Sequence, residues 1–268
     1  MKKLIYLSFV FVVFASCKNK SNEAPQPQES QVENDIEAVL QSYPDNLTKV
    51  FDAHGGLEAW NEMETLEFSV EKPGGYEITT TDLKDGFTLV EMPEHTIGFD
   101  GDSVWAINKG NNKFDHNPET YYNKMFQLYA MPFIVAKEGA KYATADQPLQ
   151  FEGQSCPGIK ILIKDKEGSG AQKDYILYFD ENSHKMTWLA YKDNDEENSD
   201  KASWHFINYP EWQEVEGLSL PKKMVWYSSE NGAPQAVEKE INFVSPMLTT
   251  VKMDLRVFTK PETGAAIQ

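Results

Sequence analysis

The chain has 268 residues, and its 42 acidic against 25 basic side chains give a formal charge of −17. A surface this acidic repels nucleic acid and anionic lipid headgroups alike, so neither a nucleic-acid partner nor electrostatic adsorption to a membrane fits it. Hydrophobic residues make up 40% and aromatic residues 12%, enough for a packed core, and two cysteines are too few for a disulfide framework.

Lys2 and Lys3 precede an apolar run from Leu4 to Phe14, which ends in Ala15-Ser16-Cys17. The run is short of the ~20 residues a membrane span needs and matches a secretory core of ~7–15. Small residues just before a cysteine at its end read as a bacterial lipoprotein signal. Residues 1–16 would be removed and the Cys17 thiol acylated, for example with palmitate. Lys18 stands where an aspartate would retain a lipoprotein in the inner membrane, so the expected address is the cell envelope, anchored in the outer membrane. Residues 17–33 are rich in Pro, Gln, Ser and Glu without apolar periodicity and read as a lipidated flexible tether. Residues 34–262 read as a single domain and 263–268 as a C-terminal tail.

Helical spacing starts at Ile36, Val39, Leu40 and Tyr43, breaks at Pro44 and resumes as Leu47, Val50, Phe51 and His54, with Asp45 as the expected N-cap and Gly55 as the stop. A short second helix carries Leu57, Trp60 and Met63. The period then becomes two. Leu66-Phe68-Val70, Tyr76-Ile78-Thr80, Phe87-Leu89, Ile97-Phe99 and Val104–Ile107 predict a meander of five short strands, with Asp85-Gly86 and Asp100-Gly101 as turns. Asn117-Pro118 opens an aromatic helix that runs through Tyr129 and Val135 towards Gly139. More than half of its circumference is apolar, wider than the stripe one sheet face requires. Strands resume with Ile159-Ile161-Ile163, Tyr175-Leu177-Phe179, Met186-Trp188-Ala190, Trp204-Phe206, Leu218-Leu220 with Met224-Trp226, Val237-Ile241-Phe243, and a last one at Leu255–Val257. The expected class is therefore mainly β: a strongly curved antiparallel sheet of about 11–12 strands, with N-terminal helices and one inserted aromatic helix.

Four segments carry a family resemblance: Ala53-His54-Gly55-Gly56-Leu57-Glu58-Ala59-Trp60, Met131-Pro132-Phe133-Ile134-Val135, Tyr175-Ile176-Leu177-Tyr178-Phe179-Asp180, and Glu216-Gly217-Leu218-Ser219-Leu220-Pro221. Together they resemble an uncharacterised envelope lipoprotein family related in architecture to LolA-like and LolB-like carriers. The resemblance implies an open half-barrel whose concave side is closed by helices acting as a lid. It brings no catalytic residues with it.

Motifs for chemistry are scarce. The acidic run Asp193–Asp200 has Asn198 and Trp204 where a calcium loop needs Gly and Glu, so it reads as a solvated turn. None of His54, His95, His116, His184 and His205 stands four residues from another, and HExxH, G-x-S-x-G and phosphate-loop patterns are missing. No catalytic residue, metal site or cofactor is expected, and Cys156 reads as a buried inert thiol. The wide apolar face nominates Tyr122, Met125, Phe126, Tyr129 and Phe133 as lid residues facing a cavity. The reading that follows is a non-enzymatic, outer-membrane-anchored lipoprotein that binds a hydrophobic ligand or acyl chain. An envelope interaction or scaffold module with a filled core is the alternative, and an envelope hydrolase comes third.

Overall fold

The computed structural model describes residues 43–164, 172–192 and 204–261. The expected signal peptide over 1–16, Cys17 and the expected tether, the helical spacing at Ile36–Leu40, the expected turn around Gly168–Gly170, the acidic run 193–200 and residues 263–268 lie outside the described residues.

Two helices open the domain, α1 (Asp45–Ala53) and α2 (Leu57–Glu62). Pro44, not Asp45, occupies the N-cap of α1, and its carbonyl accepts from the amides of Leu47 and Thr48. A helix starting just after a proline has that geometry ready-made, and Asp45 becomes the acidic residue of the first turn. Leu47, Val50 and Phe51 are buried as their spacing predicts. Gly55 ends α1 at φ +105°, and a Cβ there would stand 2.3 Å from the carbonyl oxygen of Gly217, so this close crossing of backbones requires glycine.

The strands form two meanders. The first is β1 (Thr65–Lys72), β2 (Gly75–Asp82), β3 (Thr88–Glu91), β4 (His95–Phe99) and β5 (Val104–Asn108). The second includes β6 (Lys141–Thr144), β9 (Gly158–Lys164), β10 (Gln172–Phe179), β11 (Met186–Lys192), β12 (Trp204–Val215), β13 (Leu218–Glu230) and β14 (Ala233–Thr249). Among the described residues they make one twelve-stranded sheet in the order β5-β4-β3-β2-β1-β14-β13-β12-β11-β10-β9-β6. Consecutive strands pair throughout, except where β14 returns to pair with β1 and where β6 pairs with β9. The outermost strands, β5 and β6, do not pair, so the sheet stays open. The half-barrel expected from the sequence is the architecture observed.

Three elements differ from expectation. The hairpin β7 (Leu149–Phe151) and β8 (Gln154–Cys156) is separate from the main sheet and packs Leu149, Phe151 and Cys156 on its outer face against Tyr178, Trp188 and Tyr227. Cys156 thus ends a strand. The last predicted strand, Leu255–Val257, is a 3-10 turn over Leu255–Phe258. The Asp254 side chain accepts from the Arg256 amide and starts it, and fully buried Phe258 anchors it against Leu89 and Trp105. The aromatic helix, α3 (Pro118–Tyr129), stops short of Gly139. Pro132 interrupts the run, which continues as a 3-10 turn at Phe133–Val135.

The main core lies on the inner face. One row of the sheet reads Ile159, Leu177, Leu189, Ile207, Trp226 and Lys239, each beside the next across paired strands. Alternation puts Leu66, Phe68 and Val70 on the same face. Phe51, Trp60 and Phe133 stack on one another and fill the part of this face nearest α1 and α2, with ring centroids 4.8 Å apart for Trp60–Phe133 and 6.4 Å for Phe51–Phe133.

Candidate functional site

The N-terminus of α3 forms as the sequence implies. The Asn117 side chain accepts from the Glu119 amide at 2.9 Å, and Pro118 takes the first helical position, where its missing N–H costs nothing. The helix then runs over the inner face and is held at several points. Tyr121 Oη donates to Glu77 Oε2 at 2.5 Å, Lys173 Nζ to Gln127 Oε1 at 2.8 Å, and Tyr209 Oη to the Leu128 carbonyl at 2.9 Å. Beyond it, Tyr142 Oη donates to the Val135 carbonyl at 2.8 Å, and burial pushes that phenol up to about 12.

Between α3 and the inner face lies a cleft of about 380 Å³. Val90, Met125, Leu128 and Trp226 supply its apolar wall, and Thr79, Glu77, Lys72, Lys124 and Lys239 its polar one. The polar part comes from a register effect. The alternation of Tyr76, Ile78 and Thr80 marks β2 as a strand without saying which side faces the core. Its pairing with β1 sets Glu77 opposite Val70, Thr79 opposite Phe68 and Thr81 opposite Leu66. Glu77 is only 3% exposed, and besides Tyr121 it holds Lys72 Nζ at 3.2 Å. A carboxylate this deep needs such hydrogen-bond and ion partners to offset its burial. Desolvation, the carboxylate beside it and Asp115 together drive the Tyr121 hydroxyl well above the usual phenol range, so it serves as a fixed donor. On the far wall the Lys239 ammonium lies 5.0 Å over the Trp226 ring. Desolvation and the nearby ammoniums of Lys72 and Lys124 hold Lys239 below the ordinary lysine range, against the opposing pull of Glu77.

A second opening, of about 510 Å³, meets this cleft from the side. Strands β1 and β14 pair from Thr65–Thr249 only as far as Val70–Phe243. Within that seam β14 bulges, with Ser245 at φ +49° and Pro246 lacking an amide opposite the skipped Phe68 position. Past Val70 the two hairpins diverge and leave a slit in the wall, lined by residues 70–73 of β1 and its turn and by 239–242 and 244 of β14. Lys72 and Lys239 line both slit and cleft.

The five nominated lid residues do not share one cavity. Tyr122 and Met125 line the cleft. Phe126 and Phe133 line another hollow of about 380 Å³ on the other side of α3, beside Trp60 and Leu83. Tyr129 is fully buried between Phe68, at 4.1 Å, and Phe243, at 4.5 Å. Glu77, Lys72, Lys239 and Trp226 were not singled out from the sequence, because nothing in their spacing shows which strand face they occupy. Among the described residues no three His, Cys, Asp or Glu side chains converge, and no helix is long and apolar enough to cross a membrane.

No protein-family model and no curated protein sequence matches the chain. Solved structures similar to it include a DUF1329 family protein from Desulfovibrio piger, at 11% identity and a TM-score of 0.42, covering 81% of this chain and 98% of that one. A LolA superfamily protein from Nitrosomonas europaea follows at 8% identity and TM-score 0.35, covering 76% and 96%. A domain described as an outer membrane lipoprotein-sorting protein, from Vibrio parahaemolyticus, stands at 10% identity and TM-score 0.34, covering 72% and 92%. LolA-like proteins thus stand among the structures this chain is similar to, at a level that says nothing about ligand or activity.

Proposed function

We propose that this protein is a lipid-anchored envelope protein that binds a hydrophobic ligand or acyl chain beneath α3, and that it acts by binding and not by catalysis. The cleft between α3 and the inner face carries the reading. At about 380 Å³ it falls inside the ~300–1,000 Å³ range of small-molecule sites. Met125, Leu128, Val90 and Trp226 offer a chain an apolar wall, and Tyr122 extends it. Phe126, Tyr129 and Phe133 belong to the lid as its packed side. Native mass spectrometry after mild extraction should show a co-purifying lipid, and delipidated protein should take up a fluorescent fatty acid. Empty protein that takes up no probe would sink the reading and favour the scaffold alternative, for which the close stacking of Phe133 on Trp60 and Phe51 speaks.

The anchor is the second part of the proposal. One acyl chain binds a membrane only marginally, at roughly 0.8 kcal/mol per buried methylene, whereas two or three make attachment effectively permanent. Replacing Cys17 by Ser is expected to abolish labelling with an alkyne fatty acid and to move the protein out of the outer-membrane fraction. Wild-type protein that takes no label and fractionates as soluble would refute the anchor.

A further inference from the structure

We infer that the cleft selects a single-chain amphiphile with an anionic oxygen head, seated between Lys72 and Lys239 where the slit meets the cleft, with its chain along Trp226, Met125 and Leu128. This rests on the binding reading above and names its ligand class. Strand alternation sorts the charges at the slit. Val70 and Ile241 face the core, so Lys72 and Lys239, two residues away, share their side of the wall, while Glu71 and Glu240 stand on the outer side. Glu240 is engaged there by Lys223 at 2.7 Å. The opening therefore presents lysines inward, in a chain whose formal charge is −17.

Lys239 is the telling residue. It ends the otherwise apolar row that runs from Ile159 to Trp226. Among the described residues it makes no ion pair, and it rests on an indole face. Lys72 already has Glu77, whose second contact, Tyr121, ties the same carboxylate to the lid. Lys124 adds a third ammonium from α3. Desolvation first, and then the neighbouring ammoniums of Lys72 and Lys124, disfavour the charge on Lys239, and an anion seated between the lysines offsets both. A carboxylate or phosphate head would do this, and a cleft of about 380 Å³ is sized for one chain.

The test is calorimetric titration of the delipidated protein with decanoate and with decanol, which share a chain and differ in the head. Decanoate is expected to bind about 10- to 100-fold more tightly, the range for a charge-assisted contact, and to lose this advantage as salt rises. Lys239→Met and Lys72→Met should each erase most of the preference while decanol affinity stays within about twofold. Both side chains lie at the surface of the opening, and an unchanged circular dichroism melt would show the variants folded. Acetate in large excess should not displace decanoate. Decanol binding as tightly as decanoate, or lysine variants that keep the preference, would overturn the inference and leave the hydrophobic-ligand reading standing. Displacement by acetate would reduce the site to an anion site without a chain. Binding of neither ligand would bring down both readings.

Discussion

His54 shows how one buried side chain sets a pH limit. It is fully buried at the end of α1, edge-on to Trp212 with ring centroids 4.4 Å apart. Its Nδ1 lies 2.7 Å from the Val50 carbonyl. A carbonyl can only accept, so Nδ1 carries the proton, and Nε2 is left buried without a partner. Burial pushes the imidazole down to about 4, helped slightly by Lys185 and opposed by the Val50 hydrogen bond. In the unfolded chain it titrates near 6.5. Between those values the unfolded state binds a proton that the folded state refuses. The stability tied to the neutral ring is therefore complete above pH 6.5 and is lost as pH falls towards 4, by about 3 kcal/mol. Urea unfolding at steps from pH 7 to 4 checks this. Other groups titrate alike in wild type and His54→Gln, so the stability difference between the two should shrink by about that amount on acidification. Parallel curves would show that His54 does not titrate across folding.

Helix α3 is tied to the sheet by its own donor, Tyr121, and by the sheet donors Lys173 and Tyr209. Tyr209 is the deepest of them. Its hydroxyl satisfies the Leu128 carbonyl where the last turn of α3 has no helical partner to offer. Tyr209→Phe preserves the ring and strands that carbonyl, so a loss of about 1–3 kcal/mol is expected. The lid should suffer first, visible as faster amide exchange across residues 125–130 than in wild type, while the strands of β9–β11 keep their protection. Uniform loss across the molecule would mean that the bond supports the whole core and not the lid. The start of α3 was legible in Asn117-Pro118, and strands such as Ile159-Ile161-Ile163 in their alternation. The inner face of β2 was not. Glu77, Thr79 and Thr81 face inward because β1 dictates their register, and a polar residue gives no sign of which face it takes. Lys239 was hidden in the same way, at the end of a row that exists only once six strands have paired. Leu255–Val257 misled because a Leu-x-Val alternation also suits one 3-10 turn capped by Asp254.

At the scale of the molecule, two locally paired meanders share one core and meet along the short β1–β14 seam. The pairing Leu66–Leu248 joins residues some 180 positions apart, and contacts that distant form late because the intervening chain must be ordered first. Leu248 is buried in the seam. Leu248→Ala should cost roughly 2–5 kcal/mol and act almost wholly by speeding unfolding, with a φ-value below about 0.3. Stopped-flow chevrons would measure it, and a φ-value near 1 would put the seam in the nucleus. The placement of β5 and β6 carries a further consequence. These neighbours in sequence are the two far rims of the sheet, so residues 109–140, with α3 among them, run from rim to rim across the opening. The half-barrel is thus laced shut by covalent chain where a closed barrel would use a hydrogen-bonded ladder. Cutting the lace in the exposed stretch at Asn111–Asn112 would leave two fragments still gripping each other through β1 and β14. A nicked molecule should therefore stay in one piece on a sizing column and gain a mouth free to widen.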